Sequence, residues 1–105
     1  MTPLENQLWD KIVDFEFDEP GTVLTFNARL ARENGWNNSY TGRVIEEYKK
    51  FIFLCCISPT QVTPSDPVDQ AWHLHLTYTK SYWTNLCRGT LGMEIHHNPT
   101  KGGEA

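Results

Sequence analysis

At 105 residues the chain suits a single domain. With 39% apolar and 12% aromatic residues it has material for a core, which excludes a disordered composition. A net charge of −4 and a pI near 5.4 offer no basic stripe to follow phosphates, so nucleic acid is excluded as a partner class.

Apolar spacing predicts helices along most of the chain. Leu4, Leu8, Trp9, Ile12 and Phe15 recur at three and four, one face of a first helix. Thr2 is its N-cap, with Pro3 at the first helical position and Glu5 three residues after the cap. The acidic stretch DFEFDEP (14–20) reads as a solvated connector, with Pro20-Gly21 as a turn and an alternation in VDFEF that also permits a short extended piece. Phe15 and Phe17 would form an exposed edge there, fit for a contact. A short second helix follows Thr25 and ends at Gly35. Asn37 opens a long third helix striped by Tyr40, Val44, Ile45, Tyr48, Phe51, Ile52 and Cys55, apolar all round towards its end. The three prolines of SPTQVTPSDP mark a loop. Ser65 then caps a fourth helix, with Asp66 and Pro67 in its first turn. Val68, Trp72, His75, Leu76, Thr79, Trp83 and Leu86 form its stripe. The sequence allows this helix either to run on through Thr77 or to break there and restart, Thr77 and Thr79 both being possible caps, with Gly89 or Gly92 as the end. The tail 93–105 lacks helical pattern, although it has room to fold back on the 66–91 segment. The fold class is therefore all-α, a small bundle of four to five helices with an irregular C-terminal tail, in one domain over 1–105.

No helix-length apolar run spans a membrane: Phe51 to Ile57 is the longest at seven residues. The opening MTPLENQLWDK has no apolar leader core. Cys55, Cys56 and Cys87 are odd in number, and the first two are adjacent. That spacing draws neither a disulfide framework nor a zinc Cys-x-x-Cys pair, and a cytoplasmic setting is expected. Cys87 is the one thiol near the histidines in sequence, but a helix C-terminus disfavours its thiolate. No glycine-rich phosphate loop occurs.

The chemistry is concentrated in VDQAWHLHLTYTKSYW, residues 68–83. At about 100° per residue, Asp69 and His73 share a helix face. His73 and His75 point apart and cannot grip one ion from a continuous helix. Asp69 and His73 are thus the natural pair, and a tail folding back could add His97 or His96. Such a His₂-carboxylate set leaves open positions and suits a divalent metal, zinc or ferrous iron. His75, Tyr78, Tyr82 and Trp72 are candidates for lining a ligand cleft or supporting the ligands from behind. Tyr78 and Tyr82, four apart on another face, suit the cleft best, whereas Trp72, Trp83 and His75 also read as core.

These residues carry a resemblance. The pattern VTPSDPVDQAWHLHLTYTKSYW followed by a cysteine is similar to the N-terminal domain of plant glycine-rich domain proteins, and more closely to a set of uncharacterised bacterial proteins. The matching positions are Pro64, Val68, Asp69, Trp72, His73, His75, Thr79, Tyr82 and Cys87. In the bacterial set the resemblance extends to the RVIEEYKKFIFL helix and the HHNPT end, roughly residues 30 to 103. It implies that Asp69, His73, His75 and the tail histidines belong to one motif. Pro99, after His97, would direct the tail into an extended turn that returns an imidazole to the helix. Some members carry the domain beside a membrane or glycine-rich region, and this chain shows neither.

Three readings stand at this stage. The first is a helical binding module with a His/Asp site that holds a metal or polar ligand or docks on a larger protein partner. The second is a small metal-dependent enzyme or subunit in which Asp69, His73 and His97 hold the ion and Tyr82 or His75 moves protons. The third is a structural interaction domain whose histidines serve packing alone. The sequence leaves the oligomeric state open.

Overall fold

The computed structural model describes residues 1–98, and the expectation placed on Pro99 and the rest of the tail lies outside them. Five helices follow in order: α1 (Pro3–Val13), α2 (Phe26–Asn34), α3 (Asn38–Ile57), α4 (Asp66–Thr77) and α5 (Lys80–Leu91). No strand occurs among the described residues, so the all-α expectation holds. No helix among them is long and apolar enough to cross a membrane.

Local chemistry explains where the helices begin. The Thr2 hydroxyl accepts from the Glu5 N–H at 3.1 Å while Glu5 Oε1 accepts from the Thr2 N–H at 2.9 Å, a reciprocal capping box. Thr25, Asn37 and Ser65 cap α2, α3 and α4 in turn. At the other end of α2, Gly35 takes a left-handed φ of 70° and lets the chain turn directly into α3.

Helix α3 is the central post, packed against α1, α2 and α4. Its buried residues meet Ile12 of α1, Phe26 and Leu30 of α2, and Val68, Ala71 and Trp72 of α4. The segment between α1 and α2 is more than a solvated connector. Asp18 caps α2 a second way, both carboxylate oxygens lying 3.0 Å from the Phe26 N–H. Phe17 stacks on Phe26 with ring centroids 4.5 Å apart, and Phe15 meets Phe17 edge-on at 5.2 Å. The expected exposed Phe15/Phe17 edge is therefore absent: both rings are partly buried against the core. The reason is the alternation itself. Phe15 and Phe17 are both turned towards the core while Glu16 between them is exposed. Lys49 of α3 secures the segment, its ammonium donating to the carbonyls of Val13 at 2.8 Å and Phe15 at 3.0 Å.

The fourth predicted helix is two. It breaks at Tyr78 (φ −89°, ψ 70°), and α5 is wound with i→i+5 hydrogen bonds as a π-helix, ending at Gly92 with φ 71°. Neither expected threonine recaps the restart. Thr77 Oγ1 donates backwards to the Leu74 carbonyl at 2.7 Å, and Thr79 makes no side-chain cap. The wider winding also moves the buried face. Ser81, Tyr82, Leu86 and Cys87 point inward, so the predicted stripe holds at Leu86, is only partly buried at Leu76 and Trp83, and fails at the exposed Thr79.

Candidate metal centre and groove

Helix α4 buries Val68, Ala71, Trp72 and His75, spaced at three, four and seven. Asp69 and His73 lie one residue further round, on the rim of that face. The His73 Nε2 stands 3.6 Å from Asp69 Oδ2. Half of the His73 side chain is exposed (53%), which leaves the ring free to rotate.

The third member arrives from beyond α5. Gly92 reverses the chain, and the Met93 N–H bonds to the Cys87 carbonyl at 3.0 Å. Ile95 is buried, and its carbonyl accepts from the Tyr82 hydroxyl. That same hydroxyl accepts from Trp72 Nε1 at 2.9 Å. Tyr82 thus fastens α4, α5 and the tail at one oxygen. With Ile95 pointing inward, alternation along the extended segment sends His96 outward and His97 back towards α4. The His97 Nε2 reaches Asp69 Oδ1 at 2.7 Å. Its ring lies over Trp72, centroids 4.2 Å apart, and beside the ring of His73 at 4.5 Å.

Ligand atoms of Asp69, His73 and His97 therefore lie within 4.8 Å of one another. Around a tetrahedral ion with bonds of about 2.0–2.2 Å, ligand atoms sit roughly 3.3–3.5 Å apart. Reaching that spacing would take side-chain rotation within the trio. Two neutral imidazoles and one carboxylate are a donor set that zinc and ferrous iron accept. Taking up an ion would replace the His97–Asp69 hydrogen bond, each imidazole offering an unprotonated ring nitrogen as ligand.

The trio borders a groove of about 780 Å³, within the size range of small-molecule sites. The loop from Thr60 to Pro64 forms one wall and the segment from Met93 to Asn98 another, with Cys55 and Trp72 between them. The other predicted site residues are placed differently. His96 is outside the trio, its Nε2 3.2 Å from Glu94 Oε1 and its ring against Trp83 at 5.1 Å. Glu94 also pairs with Arg88 at 3.5 Å. Tyr78 is absent from the groove lining; its hydroxyl accepts from Arg29 Nε at 3.0 Å. Tyr82 is fully buried, so the cleft-lining role foreseen for it gives way to the clamp just described. Trp72 is buried as core and also reaches the groove wall.

His75 is wholly buried. Its Nδ1 lies 2.8 Å from the Tyr48 hydroxyl and its Nε2 2.9 Å from Ser81 Oγ. The spacing resembles a serine–histidine relay, but its chemistry does not. Burial lowers the imidazole pKa from 6.5 to about 3, which makes it a poor base, and Ser81 is only 8% exposed. The relay is a buried polar network that registers α3, α4 and α5. Burial also raises the thiol pKa of Cys87, and those of Cys55 and Cys56 to about 11. None has the lowered pKa of an activated nucleophile.

Against known families, the chain matches the model of the UCP032817-like family over residues 12–102. The chain belongs to the UCP032817-like family. The match takes in all of α2 to α5 and every residue of the Asp69, His73 and His97 trio. A search of curated proteins finds no match, and neither does a search of solved structures.

Proposed function

We propose that this member of the UCP032817-like family is a helical module that binds one divalent metal through Asp69, His73 and His97. The observation that carries the reading is the return of His97 to the Asp69–His73 face, which gathers three donors within 4.8 Å. A lone acid–imidazole pair on a helix needs no ion to explain it, whereas a third ligand delivered by a separately anchored segment is a chelating arrangement. Zinc and ferrous iron suit the donors best. Three free thiols agree with a reducing, cytoplasmic setting.

A catalytic use of the ion is the second reading, favoured by the groove beside the trio. Three protein ligands leave at least one coordination position for water or substrate. Tyr82 and His75 are too deeply buried to move protons there.

The test is elemental analysis of the full chain, purified without a histidine tag, beside His73→Ala. About one equivalent of zinc or iron in the parent, lost in the variant with helical content and apo stability retained, is the expected result. His73 is half-exposed, so its removal leaves the core intact. A parent that takes up no metal, even when zinc or ferrous iron is supplied, overturns the reading.

A further inference from the structure

Resting on that metal site, we infer that the groove beside it takes a small monocarboxylic acid, with the carboxylate on the ion and an apolar body along the groove wall. Charge decides the head group. One carboxylate and two neutral imidazoles on a divalent ion leave a net charge of +1, and its open position favours an anionic oxygen donor. The two other acids on the groove do not cancel that preference. Glu94 is paired with Arg88. Asp66 sits in the first turn of α4, where the positive end of the helix dipole faces it.

The wall decides the body. Trp72, Val62, Ile95, Cys55 and Met93 give the groove a mainly apolar lining. Met93 is 42% exposed, and its unbranched thioether can adapt to ligands of differing shape. A ligand holding the ion by its carboxylate must lay whatever follows against these side chains. Size is set by the roughly 780 Å³ available, enough for an acid of several carbons and too small to enclose a folded partner.

The experiment loads the full chain with cobalt(II), whose visible spectrum reports its coordination, and titrates acetate, hexanoate and hexanol. The expected result is a spectral change with both acids, hexanoate binding about ten-fold or more tightly because its extra methylenes leave water, and no change with hexanol. In Met93→Ser, which removes apolar wall without adding a charge or a metal ligand, hexanoate should fall to within about three-fold of acetate. Met93 is exposed at the groove rim and its fold contact is made by its backbone, so the variant keeps the bundle. Equal binding of acetate and hexanoate, or binding of hexanol equal to hexanoate, overturns the inference while leaving the metal site standing. Failure to load cobalt, zinc or iron at all sinks the metal reading and the inference with it.

Discussion

His75 shows how one residue can look functional and serve the fold. Its ring meets Phe17, Phe26, Tyr48 and Tyr82 edge-on, and both nitrogens are satisfied by hydroxyls. With its pKa pushed down to about 3, it stays neutral in the folded protein at pH values where the unfolded chain, near 6.5, takes a proton. The sign follows directly. The contribution is fully present above pH 6.5 and is lost as pH falls towards 3, at about 1.4 kcal/mol per pH unit. Urea unfolding at pH 7, 5.5 and 4.5 should show that decline, and His75→Gln, which hydrogen-bonds but does not titrate, should flatten it. An equal decline in the variant would assign acid sensitivity to other groups. The sequence left His75 between core and site because two residues from His73 on a helix means opposite sides; burial inside the bundle settles which side each occupies.

Among the elements, α5 is the one whose geometry matters most to the site. Its i→i+5 winding turns Tyr82 inward, where its hydroxyl joins Trp72 to the tail carbonyl of Ile95. Tyr82→Phe should cost about 1–3 kcal/mol in denaturant unfolding, the penalty for two buried groups losing their partner. It should also weaken zinc binding by calorimetry at least several-fold, since the tail that carries His97 loses its anchor. Unchanged zinc affinity would show that the tail is held by Ile95 packing alone. The capping residues Thr2, Thr25, Asn37 and Ser65 were legible because a cap is written within four residues of chain. The Asp69–His73 pairing was legible for the same reason. The π-winding of α5 was not. It is a backbone choice with no side-chain signature, so the helical period carried past Tyr78 put Trp83 on the buried stripe and Tyr82 in a cleft. The selection of His97 over His96 was equally hidden, because it depends on Ile95 finding the core.

At the scale of the whole molecule, an ion would act on more than its ligands. Any metal that binds the folded chain and not the unfolded one adds stability by mass action, about 2.7 kcal/mol at a hundred times its dissociation constant. Zinc at that excess should raise the melting temperature of the parent by about ten degrees or more, and leave His97→Ala where it was. A parent that melts identically with and without zinc would contradict the proposed centre. The sequence distance between Asp69 and His97 gives this effect its reach. The two are 28 residues apart, so an atom shared by them would close that entire stretch into a ring with α5 as its arc. Closing so long a loop carries a substantial entropic cost in a flexible chain, and little in one already folded to the right shape. A chain cut just before His97 would therefore keep its bundle and lose the knot.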